Sequence, residues 1–290
     1  MPVPKKPRLR KPSAAKPPAD QPLPDPRAME AWLAALGRGS RDSSIAKAQN
    51  VMYDAWDRTS SRARITLARK ALLISPLCAD AYNLLAQEAK SPSEARDLYA
   101  RAVEAGRLAL GPEGFKEYAG QFWGFLETRP YMRARHGLAL TLCELGEEEA
   151  AIGHFREMLD LNPNDNQGIR YLLLGSLLRR DDIEGLKKLL GAYADEWSPY
   201  WLYTRALLAY REGCANEPAT LKLLKDAHTV NRHVPAILAG TTPPVAAEGG
   251  YITAGGADEA SEYVRDCGAA WRKTPGAIEW LNSASAQRRS

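Results

Sequence analysis

Residues 129–174 read RPYMRARHGLALTLCELGEEEAAIGHFREMLDLNPNDNQGIRYLLL, one complete helix–turn–helix unit followed by the opening of another. Leu138, Ala139 and Leu142 recur at the steps that gather side chains on one face of a helix, and Gly146 ends that helix. Ala151, Phe155, Met158 and Leu159 supply the apolar face of a second helix, which Pro163 stops. Small side chains at Ala139 and Ala151 let the two helices approach closely, and Phe155 fills the gap beside them.

The same spacing recurs upstream. Ala68, Ala71, Leu72 and Pro76 repeat the intervals of Phe155, Met158, Leu159 and Pro163, which defines a first unit from Ile45 to Cys78. Its opening helix carries Ile45, Ala48, Met52, Ala55 and Trp56, and Thr59-Ser60-Ser61 supplies the turn and helix cap. Arg64 stands where the reference unit has Ala151, so the close approach there is looser or shifts to Ala63. A second unit opens at Ala79 with Tyr82, Leu85, Ala86 and Ala89, and breaks at Ser91-Pro92, a cap followed by a proline suited to a helix start. It returns through Ala95, Tyr99, Ala102 and Val103 towards Leu110, and Gly111-Pro112 ends it. A repeat of about 34 residues built this way is the tetratricopeptide pattern.

Two further units follow. The fourth runs from Asn166 through Ile169, Leu172, Leu173 and Leu177, turns at Arg180-Asp181-Asp182, and returns through Leu186, Leu189 and Ala192. A looser fifth holds Trp201, Ala206, Leu207 and Tyr210, then Leu221, Leu224 and Ala227. Residues 113–128 fit no repeat position, and their helically stepped aromatics (Phe115, Tyr118, Phe122, Trp123, Phe125) predict an inserted helix used for packing. The expected fold is all-α: a tetratricopeptide-type α-solenoid of about five repeats with that inserted helix, a disordered N-terminal tail and a C-terminal capping segment.

The domain boundaries follow from composition. Residues 1–26 are rich in Pro, Lys and Ala with almost no large apolar side chains, so a disordered, basic, Pro-rich tail is expected. Residues 28–36 suit a short helix, with Trp32, Leu33 and Leu36 on one side, and the solenoid is assigned to 27–233. From 234 to 290 an irregular Gly/Pro-rich segment precedes capping helices. One helix runs from Glu259 to Trp271, and a last one is started by Thr274-Pro275. Trp271 and Trp280 predict that this end folds back onto the array.

Charge and cysteine content narrow the class of protein. The tail carries Lys5, Lys6, Arg8, Arg10, Lys11 and Lys16 against Asp20 and Asp25, which accounts for the whole chain's net charge of +4. Residues 27–290 therefore balance, and charge suggests no nucleic-acid groove on the folded body. With 45% hydrophobic residues a sizeable core is available, yet no apolar run approaches the roughly 20 residues of a membrane span. The basic N-terminus lacks an apolar stretch behind it, so no secretory signal is expected. Cys78, Cys143, Cys214 and Cys267 lie far apart, as reduced thiols in a cytoplasmic protein would.

The central stretch resembles bacterial tetratricopeptide proteins related to the suppressor of tumorigenicity 7 family. The carrying residues are Arg129-Pro130-Tyr131-Met132-Arg133 and NPNDNQGIRYLLL from Asn162 to Leu174. HVPAILAG, Asp258-Glu259-Ala260 and TPGAIEWL near the end are similar to the tail of such proteins, and the likeness spans about half of the chain. It implies the repeat fold. The animal members are membrane-associated, whereas this sequence shows no span.

No catalytic constellation is legible. Gly111 to Lys116 lacks the spacing of a phosphate loop, and His136, His154, His228 and His233 belong to no metalloprotease pattern. Glu147, Glu148, Glu149, Asp181 and Asp182 read as solvated turns. No catalytic residue, metal site or cofactor motif is assigned, although the Gly-rich stretch Gly240 to Gly256 leaves an enzyme site there as an alternative.

The functional expectation lies instead on the face formed by the first helix of each repeat. Helical spacing places there Gln49, Tyr53 and Trp56; Asp80, Asn83 and Gln87; Arg133, His136 and Leu140; and Gln167, Arg170 and Leu174. Asn and Gln suit a peptide backbone, and Arg133 and Arg170 suit carboxylates, unless those arginines only cap helices or form ion pairs within the array. The expected job is a non-enzymatic scaffold that binds a protein or peptide partner. The alternative is a nucleic-acid-associated adaptor acting through Lys5, Lys6, Arg8, Arg10 and Lys11 of the tail alone. No membrane partner is expected.

Overall fold

Each helix ends where backbone chemistry forces it to, and the ends repeat. In the computed structural model, which describes residues 43–247, 249 and 251–286, the first helices are α1 (Ser43–Trp56), α2 (Ser61–Ile74), α3 (Ala79–Gln87) and α4 (Pro92–Glu117). The array continues with α5 (Arg129–Glu144), α6 (Glu148–Leu161), α7 (Ile169–Arg180), α8 (Ile183–Ala192), α9 (Pro199–Arg211) and α10 (Pro218–Val230). Then come α11 (Val234–Leu238), α12 (Ala257–Lys273) and α13 (Ala277–Ala286). Among the described residues the chain is helical without a strand. The tail with Lys5, Lys6, Arg8, Arg10 and Lys11, and the short helix expected at residues 28–36, lie outside the described residues.

Three turns between the helices of a pair use one device. Gly146, Asp181 and Gly213 each adopt a positive φ, and the next residue's N–H reaches back five residues. These bonds run from Glu147 to Leu142 O (2.8 Å), Asp182 to Leu177 O (3.0 Å) and Cys214 to Ala209 O (2.9 Å). The closure satisfies carbonyls that a helix end otherwise strands. The far ends of α2, α6 and α10 match each other as well. Ser75, Asn162 and Asn231 are all buried and leave the helical region at similar φ (−147°, −144° and −151°), each N–H bonded four residues back. Pro76 and Pro163 explain two of these, because the residue before proline is driven out of the helical region.

Short turns make each helix antiparallel to the next, giving the pairs α1–α2, α3–α4, α5–α6, α7–α8 and α9–α10. Neighbouring pairs pack through α2 on α3, α4 on α5 and α6 on α7, while α1, α3 and α5 lie side by side. Ala139 and Ala151 are fully buried, with Phe155 1% exposed beside them. The tightest approach is between α4 and α5. A Cβ on Gly137 would stand 2.2 Å from the Tyr99 ring, and one on Gly106 would stand 3.0 Å from Cβ of Tyr131. Each helix thus offers a notch to the other's tyrosine. Apolar packing falls into a small alanine-rich cluster around Ala48, Met52, Ala71 and Leu84, and a larger one from Leu110 to Leu281.

Several local expectations need correction. The inserted helix expected over residues 113–128 is cut to a short stretch ending at Glu117, set apart from the rest of α4 by the expected break at Gly111. Gly111, at φ 60° and ψ 173°, kinks α4, which resumes through Pro112 to Glu117, and Phe122–Gly124 then makes one 3₁₀ turn. Phe115, Phe122 and Tyr131 pack ring against ring there, with centroids 5.2–6.2 Å apart. Ser60 occupies the cap position of α2 without a side-chain bond, whereas Ser91 does accept from Glu94 N (3.2 Å). The segment after His233 is not irregular at its start, because α11 forms at Val234. Thr274-Pro275 does not open the last helix. Thr274 donates back to Ala270 O (2.8 Å) at the end of α12, and α13 begins after Gly276 turns the chain at φ 74°.

The C-terminal helices cover the array rather than extend it. α12 packs on α7 and α9, which are first helices of the fourth and fifth pairs, and α13 packs on α10 and α11. Tyr263 and Trp271 of α12 are fully buried, and Trp271 Nε1 donates to Tyr263 OH (2.7 Å). Trp280 of α13 stacks on Tyr210 with centroids 4.9 Å apart.

Candidate binding face

Side by side, α1, α3 and α5 bring together residues far apart in the chain. Asp80, fully buried on α3, is their centre. It accepts from Gln49 Nε2 (2.9 Å), Asn83 Nδ2 (3.1 Å), Arg133 Nε (3.0 Å) and Arg133 Nη2 (2.5 Å). Four charge-assisted bonds fill the lone pairs of a carboxylate, which is how a buried charge becomes tolerable. Asn83 Nδ2 also donates to Pro130 O (3.0 Å), tying α3 to the first turn of α5. The Asn83 Oδ1 is buried without a donor among the described residues.

Aromatic and apolar groups border this network. The Arg133 guanidinium lies over the Trp56 ring (5.5 Å), and Tyr53 packs on Trp56 with centroids 5.8 Å apart. Trp56 is 37% exposed, and Leu140, two turns beyond Arg133 on α5, is 42% exposed. His136, between them in sequence, is half-buried, and burial holds its pKa below the ordinary range. Gln87 is exposed and accepts from Arg64 Nη2 of α2 (3.4 Å), at the edge of this face.

Gln167 and Arg170 belong to a different place. Arg170 is bound by Asp165 Oδ2 (2.9 Å) and Glu196 Oε2 (2.8 Å), donates to Tyr171 OH (2.9 Å), and lies over the Tyr171 and Tyr193 rings. Gln167 is half-buried, its Oε1 without a donor among the described residues. Leu174, also expected on this face, is completely buried. The three carboxylates that Arg133 and Arg170 meet are thus all within the chain.

The equivalent face of the fourth and fifth pairs is occupied by α12. Tyr200 OH donates to Asp266 Oδ2 (2.6 Å), Tyr200 and Tyr203 pack on the Tyr263 ring, and Gly175 of α7 comes close to the Asp266 backbone. Arg211 donates to Ala270 O (3.2 Å) and Thr274 Oγ1 (2.9 Å), fastening the end of α12. A cleft of about 550 Å³ opens where the ends of α7, α9 and α12 meet. Arg211 is paired there with Asp181 (2.7 Å), and no nucleophile stands beside a base. Among the described residues no cluster of His, Cys, Asp and Glu is suited to a metal, and no helix is long and apolar enough to cross a membrane.

The ion pair of Arg135 with Glu157, in which Tyr131 OH shares, and the Tyr200–Asp266 contact leave no trace in the sequence pattern. Nothing local marks either, since their partners lie 22 and 66 positions apart. The chain matches no family description and no curated protein.

Proposed function

We propose that this chain is a tetratricopeptide-type α-solenoid, a cytoplasmic, non-enzymatic scaffold that holds a peptide segment of a partner protein across α1, α3 and α5. The observation that carries the reading is the contrast between the two halves of one face. Over α7 and α9 it is filled by the chain's own α12, whereas over α1 and α5 it leaves Trp56 and Leu140 well exposed beside an ordered polar network. The matching turns at Gly146, Asp181 and Gly213 support the repeat assignment, as does the resemblance to the suppressor of tumorigenicity 7 relatives.

The mechanism is preorganisation. Asp80 fixes Gln49, Asn83 and Arg133 before any ligand arrives, so the partner bears most of the ordering entropy. An extended segment would lay an apolar side chain against Trp56 and Leu140 and its backbone against the amides of Gln49 and Gln87. The face is close to neutral, because its arginine is already paired. It therefore favours an apolar–polar peptide over an acidic tail.

Selection from a random peptide display library tests this. Selected peptides should bind the wild-type chain, and Trp56→Ala with Leu140→Ser should weaken them at least tenfold while far-UV circular dichroism is unchanged. Selected peptides that bind the double variant equally well would place the binding surface elsewhere.

A further inference from the structure

We infer that the outward face of α2 is a docking surface for the phosphate backbone of nucleic acid. Between Asp57 and Asp80 the chain carries Arg58, Arg62, Arg64, Arg69 and Lys70 and no acidic residue. Ala68 and Ala71 turn inwards and are fully buried. Arg62, Thr66, Arg69, Lys70 and Leu73 recur at the steps that share one face of the helix, and all are exposed. Arg58 stands exposed just before the helix begins.

What distinguishes this face is that its charge is left uncompensated. Elsewhere many arginines are neutralised by carboxylates, and those without an ion pair among the described residues (Arg101, Arg129, Arg205, Arg232 and Arg272) are scattered singly along the chain rather than gathered on one helix face. α7 also lacks acidic residues, yet Arg170, Arg179 and Arg180 are bound by Asp165 and Glu196, by Glu148, and by Glu149. Arg156 pairs with Asp182, and Arg211 with Asp181. On α2 only Arg64 is paired, with Glu88 (2.7 Å). Among the described residues Arg58, Arg62, Arg69 and Lys70 have no acidic partner. The near-zero charge of residues 27–290 hides this segregation, which appears only once cross-helix pairs are known.

The occupant follows from the chemistry. Three of the four unpaired cations are guanidinium groups, whose fork of donors fits phosphate oxygens. Leu73 is 88% exposed, but one leucine is too little apolar surface for a helix that inserts into a lipid interface. No pattern for reading base edges accompanies the cations, so the recognition is of backbone and not of sequence.

The test is anisotropy of a fluorescein-labelled 20-nucleotide single strand titrated with the full chain between 50 and 200 mM KCl. Four phosphate contacts give a log–log salt slope near −3, or a loss of about fiftyfold over that range. Arg62→Glu/Arg69→Glu/Lys70→Glu should abolish binding, and Arg62→Lys/Arg69→Lys should retain it. A photoreactive thiothymidine strand should cross-link to the peptide containing residues 58–73. The proposal is overturned if the wild-type chain does not bind the strand. It is equally overturned if the triple reversal binds with an unchanged slope while deletion of residues 1–26 removes binding, or if phosphatidylserine vesicles bind α2 and the oligonucleotide does not.

Discussion

Arg133 and Asp80, 53 positions apart, meet through two parallel hydrogen bonds that join α5 to α3. The aspartate is fully buried and the arginine about one-third exposed, so the pair is asymmetric. Arg133→Ala leaves a buried carboxylate held only by Gln49 and Asn83. Losing one partner of a fully buried pair costs ~3–5 kcal/mol, and partial exposure of the guanidinium reduces that to about 2–3. Asp80→Asn should cost less, since it removes the charge with the bonds. Urea unfolding at pH 7.5 measures both, and equal midpoints for wild type and Arg133→Ala would show that the pair does not hold the helices.

Gly137 admits the Tyr99 ring so closely that a methyl group there cannot be accommodated without movement. Gly137→Ala therefore should destabilise the chain by about 1–3 kcal/mol, although alanine is the better helix former. Tyr99→Leu in the same chain should recover part of the loss. Thermal melting of the four members of this cycle gives the coupling, and strict additivity would contradict the contact.

Burial holds His136 below its ordinary pKa of 6.5, and burial together with the neighbouring Arg135 does the same for His154. The unfolded chain then takes up protons that the folded chain refuses once the pH falls below about 6.5. Stability is fully present above that value and declines as the pH drops. Urea midpoints should fall between pH 7.5 and pH 5.5, and by less in His136→Gln/His154→Gln. An unchanged pH dependence in that variant would assign the effect to other groups.

The four thiols should separate by reactivity. Burial pushes Cys78 up to about 12 and Cys267 well above the ordinary range. Cys143, half-buried, is raised by burial, and Cys214, also raised, mainly by Glu217, sits at the surface turn after α9. N-ethylmaleimide at pH 7.5 should modify Cys214 first and reach Cys78 and Cys267 only in denaturant, as read by peptide mass spectrometry. Rapid labelling of Cys78 in the native chain would mean that the α2–α3 packing opens readily.

Much of the helical plan is legible because its determinants are local. Gly146 ends α5 through a backbone conformation glycine adopts freely, Pro163 drives Asn162 out of α6, and Ser91 caps α4 within its own first turn. Where local signals mislead, a competing contact prevails. The aromatics of residues 115–125 step helically, yet they pack around a kink and a 3₁₀ turn because Phe122 is drawn inwards beside Tyr131. The face carrying Gln49, Asn83 and Arg133 could be marked from helical spacing, but spacing is silent on what those groups touch. Arg133 faces Asp80, and Arg170 faces Asp165 and Glu196, at distances set by the stacking of pairs.

Local sequence set most of the helix ends, which of their faces are apolar, and that units of similar spacing succeed one another. Those properties depend on backbone torsions and on periodicity within a few residues. Only the tertiary structure decided that α12 lies over α7 and α9, that Tyr99 fills the notch at Gly137, and which arginines are neutralised. An amphipathic pattern states that a face must be covered without naming the cover, because hydrophobic burial is non-directional. Ion pairs between helices depend on register and rotation, which no local pattern encodes.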